Sequence, residues 1–162
     1  MEKSVIIKYT QLGARIILGL LLIIAGYFKI LDNSALFQSV AYITWLPVWF
    51  KSFIIDSLPY IEILVGALLI LKINLLDKAI VPIAALIYLS FFIFAIYGLT
   101  TGIEGDCGCF GDPESGSILV VLLGSEFGWQ MVIRNGIFLT MAGFLFWRPG
   151  ISGNKDSVSS NN

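Results

Sequence analysis

Hydrophobic and polar positions divide the chain into four long apolar runs separated by polar interruptions. The runs are Leu12–Leu31, Ile54–Leu71, Ala79–Leu99 and Trp129–Trp147. Each is about as long as a helix rising roughly 1.5 Å per residue needs to be to cross a hydrocarbon layer. Between the first two lies Asp32–Phe53, broken by Pro47 and rich in aromatics that include Tyr42, Trp45 and Trp49. That pattern predicts a short surface helix and a turn lying in the membrane interface, where amphipathic aromatics prefer to sit; the alternative is an extension of the first span. Lys72–Lys78 is a tight polar turn, short enough to make its neighbours an antiparallel pair. Pro59 and Pro82 fall in the first turns of their runs, where a missing N–H is tolerated.

The expected fold is therefore all-α, an integral membrane four-helix bundle. A long loop, Thr100–Gly128, joins the last two spans and contains one brief greasy run, Ile118–Leu123. Met1–Gln11 reads as a short, mildly basic start. Residues 1–148 form the transmembrane domain, with spans at about 12–31, 54–71, 79–99 and 129–147. Residues 149–162, rich in Ser, Asn and Gly, read as a disordered tail.

Composition agrees with the membrane reading. Mean hydropathy is +0.90, with 57% hydrophobic and only 13% charged residues. The formal net charge is −1 and there is no basic run, so no nucleic-acid footprint is expected. The chain has no histidine, which argues against a haem held by two imidazoles and against most zinc enzymes. The first apolar run lacks a small-residue cleavage site and reads as an anchor rather than a secretory signal.

Orientation follows from the basic residues near the spans. Lys3, Lys8 and Arg15 mark the N-terminus as cytoplasmic, Lys72 and Lys78 mark the second turn, and Arg148 and Lys155 mark the tail. The Thr100–Gly128 loop has no Lys or Arg but carries Glu104, Asp106, Asp112, Glu114 and Glu126. The loop is expected outside, in the periplasm if the protein lies in the inner membrane of a Gram-negative cell. That side is oxidising, where disulfide chemistry operates.

Within this loop stands Asp106-Cys107-Gly108-Cys109-Phe110-Gly111, which holds the chain's only two cysteines. A disulfide closing so small a ring stabilises little, because the chain-entropy effect grows with the loop it closes. Bridging residues two apart requires a sharp backbone turn, which Gly108 permits. A strained bridge of this kind is easily reduced and belongs with labile or catalytic disulfides. Two other readings are a pair of unrelated thiols and half of a metal site. The metal reading is short of ligands, since there is no third cysteine and no histidine; it would need cysteines shared between protomers. Redox chemistry is the leading reading, with Cys107 and Cys109 as the catalytic pair and no metal.

Ionisable groups inside a span are costly and are functional hypotheses by default. Lys29 lies near the outer end of the first span, Glu62 about 12 Å below the outer end of the second, and Arg134 about 7 Å below that of the fourth. All three fall in the outer half, on the cysteine side. Glu62 is expected to pair with Lys29 or Arg134, with Asn135 satisfying a remaining hydrogen bond. A cation beneath a dithiol favours the thiolate, while Glu104, Asp106 and Asp112 oppose it. Arg134 and Glu62 are also the candidates for holding a quinone headgroup. The competing reading is that the cluster only keeps the helices in register. Arg15 reads as a topology anchor, the tryptophans as interfacial belts, and Ala25-Gly26 near Gly19 as a site of close helix packing.

These residues resemble the MauE family, the methylamine utilisation proteins, within the larger DoxX-like group of four-helix membrane proteins. The matching pieces are Arg15, then Ala25-Gly26-Tyr27-Phe28-Lys29-Ile30-Leu31-Asp32, Glu62, Cys107-Gly108-Cys109-Phe110-Gly111 and Arg134-Asn135. The resemblance implies a role in maturing periplasmic proteins beside a thioredoxin-like partner, as in production of the disulfide-rich small subunit of methylamine dehydrogenase. The insert between Gly111 and Trp129 departs from the family pattern. The plan also looks like that of the quinone-coupled DsbB and vitamin K epoxide reductase type, which normally carries additional cysteines.

The expected function is thus that of an inner-membrane thiol–disulfide redox protein exchanging disulfides with a periplasmic thioredoxin-like partner, with quinone as the possible electron carrier. The alternative is a non-catalytic membrane scaffold that docks such a partner.

Overall fold

The computed structural model describes residues 2–71, 73, 76–102 and 128–146. They form five helices: α1 (Glu2–Leu31), α2 (Ser34–Ala41), α3 (Val48–Leu71), α4 (Asp77–Thr101) and α5 (Trp129–Phe146). The all-α expectation holds. α1, α3 and α4 are each long and apolar enough to cross a membrane. Much of their apolar surface, including Ile17, Leu64, Leu86 and Ile93, is exposed and suited to lipid. The protein is a membrane protein. α5 has 18 residues, about 27 Å of helix. Gln130, Arg134 and Asn135 in its first two turns make it more polar than α3 or α4.

Helix boundaries depart from the apolar runs in two places, each with a local cause. α1 starts at Glu2 rather than Leu12, because the preceding residues include Val5, Ile6 and Ile7 and contain neither Pro nor Gly to interrupt the helix. α3 starts at Val48 rather than Ile54. Pro47 stands immediately before it, where a residue without an N–H gives up nothing, and its carbonyl accepts from the backbone N–H groups of Phe50 and Lys51 at 3.1 Å. α4 ends at Gly102, whose φ of 65° is the left-handed cap that glycine supplies without strain.

The expected interfacial helix is α2, separate from α1. Asp32 accepts from the Ser34 backbone N–H at 2.8 Å, turning the chain between the two helices. This bond, with a second from the Ser34 side chain, holds the Asp32 carboxyl below its ordinary value of 3.8. α2 then lays Leu36 and Val40 against Ile55 of α3. Lys51 of α3 donates to the Ala41 carbonyl at 3.2 Å, placing a cation at the negative end of α2. Trp45 and Trp49 beyond it stay exposed, as does Trp129 at the start of α5, in keeping with an aromatic belt.

The main core draws on α1, α3, α4 and α5: Leu18, Leu22 and Ala25 meet Val65, Leu69, Ile80, Ala84, Tyr88, Phe138 and Ala142. Its tightest seam lies between α1 and α3. A Cβ on Gly19 would stand 2.8 Å from the Gly66 carbonyl, one on Gly66 2.6 Å from the Gly19 carbonyl, and one on Gly26 2.6 Å from the Pro59 carbonyl. Backbone therefore touches backbone, which only glycine permits, and the close packing expected around Gly19 and Gly26 is what forms. α1 and α4 run in the same direction. They meet through Arg15 and Asp77 at one end, and near the middle of both helices through the Tyr88 hydroxyl, which donates to the Leu18 carbonyl at 2.6 Å.

Candidate functional site

The α1–α3 seam delivers the site. Gly26 and Lys29 lie one turn apart on the same face of α1, as do Pro59 and Glu62 on α3. A Cβ on Gly26 would approach Glu62 Cβ at 3.2 Å, so the missing side chain is what lets the helices close at this level. Lys29 Nζ then donates to Glu62 Oε1 in an ion pair that is 2% and 0% exposed. Of the two partners anticipated for Glu62, it takes Lys29.

The surroundings are apolar and incompletely satisfied. The Phe91 ring of α4 faces Lys29 Nζ, 4.7 Å from its centroid, a geometry in which the ring's negative face attracts the ammonium. A cavity of about 20 Å³ lies between Lys29, Tyr88, Phe91 and Asn135, about the size of one water. Glu62 Oε2 and Asn135 Nδ2 are buried with no hydrogen-bond partner among the described residues. Asn135 therefore reaches the same cavity as Lys29 without supplying the bond expected of it at Glu62. Arg134 is buried beside it on α5. A buried acceptor left unmatched costs about 1–3 kcal/mol, and more for a charged group. Such a group is a standing acceptor for any donor that reaches it.

Depth is set by the helix ends. Phe91 lies ten residues before the end of α4, about 15 Å, and Asn135 six residues after the start of α5, about 9 Å. The pair is thus sunk beneath the end of the bundle at which α4 stops and α5 begins. Cys107 and Cys109 lie outside the described residues.

At the opposite end, Arg15 is more than an anchor. Its guanidinium binds both carboxylate oxygens of Asp77, at 3.0 and 2.5 Å, and its Nε donates to the Leu69 carbonyl at 3.0 Å. Asp77 escapes a reading of the sequence because an acid in a polar turn attracts no notice. The available signal is its place in the first turn of α4, on the same side of the membrane as Arg15. A forked donor sits on a forked acceptor, and the Nε–H is satisfied as well, by the Leu69 carbonyl.

A family model described as methylamine utilisation protein MauE matches residues 7–148. The chain belongs to the MauE family. No curated protein and no solved structure matches it. The MauE match runs from the first turns of α1 past the end of α5, so both ion pairs and the cysteine motif fall inside it. The protein is accordingly a membrane protein of a family associated with methylamine utilisation.

Proposed function

We propose that this MauE-family protein is a thiol–disulfide exchanger, with Cys107 and Cys109 as its redox pair and a thioredoxin-like protein outside the cytoplasmic membrane as its partner. The observation that carries the reading is the location of the under-satisfied Lys29–Glu62 pair. It lies toward the end of the bundle where the chain leaves α4 at Gly102, five residues before Cys107, and returns at Trp129. In this reading α5 is the fourth crossing. Both termini are cytoplasmic, and the acidic loop faces the periplasm across the inner membrane.

The exchange proceeds through a mixed disulfide. A thiolate from one cysteine attacks a sulfur of the partner's disulfide; that S–S bond breaks, an S–S bond between the proteins forms, and the partner's released sulfur takes up a proton. The second cysteine then attacks the mixed disulfide, closing the Cys107–Cys109 bridge and releasing the partner as a dithiol. Two thiols are oxidised and one disulfide is reduced, so electrons and protons balance. The reverse sequence oxidises a partner. Lys29 and Glu62 contribute a buried charged pair toward the end of the bundle that bears the exchange in this reading, and Arg134 contributes a cation at the same end.

A non-catalytic scaffold is the second reading, favoured by one observation: the pair also fixes α1 to α3. The test is trapping. Cys107→Ser and Cys109→Ser, one at a time, should leave a mixed disulfide with the partner that accumulates in one variant and is absent in the other. Differential alkylation should show the parent's two sulfurs oxidised and reduced together. Sulfurs that stay unchanged under every redox condition, with maturation intact in the double serine variant, would establish the scaffold instead.

A further inference from the structure

A second, larger cavity lies away from the Lys29–Glu62 pair. It measures about 890 Å³ and opens between the start of α1, the start of α4 and the end of α5. That volume lies within the range of small-molecule and lipid sites. We infer that it seats the phosphate headgroup of an anionic phospholipid, with an acyl chain against its apolar wall.

Charge and shape point to this occupant. Arg15 and Asp77 lie at the cavity and neutralise one another, so neither is available to a ligand. Lys8 and Lys78 remain on the lining, both exposed, and they leave it with a surplus of two positive charges. Long lysine stems let the ammonium groups reach headgroup level while their methylenes lie along the wall. The rest of the wall is mostly apolar, with Leu12, Val81 and Phe146 among its residues, and suits a hydrocarbon chain. A zwitterionic lipid would also need a counter-charge for its ammonium. The lining's one described carboxylate, Asp77, is already held at both oxygens by Arg15. At the start of α4 the N–H groups of Asp77, Ala79 and Ile80 already donate to Ile73 and Leu76 carbonyls, so these three do not supply the anion site. Basic pockets between helices on the cytoplasmic side are recurrent sites for anionic headgroups. This is the side to which Lys8, Arg15 and Lys78 assign this end.

The test is native mass spectrometry of the full chain in detergent, titrated with phosphatidylglycerol or phosphatidylcholine. The parent should retain phosphatidylglycerol far more strongly than phosphatidylcholine. Lys8→Gln combined with Lys78→Gln should weaken phosphatidylglycerol binding by about 30-fold, the combined loss of two lysine–phosphate attractions. Lys51→Gln, at the other end of the molecule, should leave it unchanged. Both altered lysines are exposed, and an unchanged unfolding temperature would confirm that the double variant folds. Equal retention of the two lipids by the parent, an unaffected double variant, or an equal loss in Lys51→Gln would each overturn the assignment.

Discussion

The two ends of this molecule each hold an ion pair, and the pairs are built on opposite principles. Arg15–Asp77 is a fork on a fork, tied also to the Leu69 carbonyl, with side chains 9% and 18% exposed at the edge of a large cavity. Lys29–Glu62 is a single contact, sealed from solvent, with one carboxylate oxygen unmatched and an unmatched amide nearby. The first has what a structural clamp needs. The second carries an energetic cost that packing alone does not require, since an apolar pair of similar volume would hold the helices as well or better. The Lys29–Glu62 pair lies toward the end of the bundle at which α4 stops and α5 begins, the end where the proposed exchange would act.

The sharpest way to break this contrast is to remove one partner at each end. Glu62→Ala strands a buried ammonium and should destabilise the protein by about 3–5 kcal/mol, read from denaturant unfolding in detergent. Asp77→Ala leaves a guanidinium that water can reach and that keeps its bond to Leu69. Its cost should stay near 1.5–3 kcal/mol. Equal losses would erase the distinction between the ends.

The seam beneath the buried pair offers a second handle. Gly26→Val drives a side chain into the Pro59 carbonyl and Glu62, and overpacking of this kind costs about 1–3 kcal/mol. It should also part Lys29 from Glu62 while leaving Arg15–Asp77 intact. Gly13→Ala and Gly143→Ala meet nothing within 4 Å and should be neutral or stabilising by less than about 1 kcal/mol. Thermal unfolding of the three variants side by side separates the seam from helix propensity.

The smallest expected effect is a pH dependence beside the buried pair. The Ser34 hydrogen bonds hold the Asp32 carboxyl below its unfolded value of 3.8. Their contribution is fully present above that value and is lost as pH falls through the lowered folded value. Acidification below about pH 4 should loosen the α1–α2 corner in hydrogen exchange, and Asp32→Asn should remove that dependence. A corner whose protection is the same across this range would show that the bond carries no weight.

Much of this was legible in the chain, unevenly. Apolar runs reveal α1, α3, α4 and α5, and a charge inside such a run marks Lys29, Glu62 and Arg134 as costly enough to matter. The choice of Lys29 over Arg134 as partner is not legible, because it depends on the register set where Gly26 meets Pro59. Asp77 is hidden for a related reason. Its role arises only when the short turn after α3 brings the start of α4 over Arg15. Helix starts are misjudged where polar residues continue a helix, as at Glu2–Gln11, or where a proline opens one, as Pro47 does ahead of Val48.

The most direct measurement replaces both members of the buried pair, Lys29→Met with Glu62→Leu, and follows thiol–disulfide exchange with a thioredoxin-like protein by alkylation. The double variant should fold with stability at or above that of the parent, since no charge is left stranded, and should exchange at least tenfold more slowly. Exchange at the parental rate in a folded double variant would mean that Lys29 and Glu62 only hold two helices together.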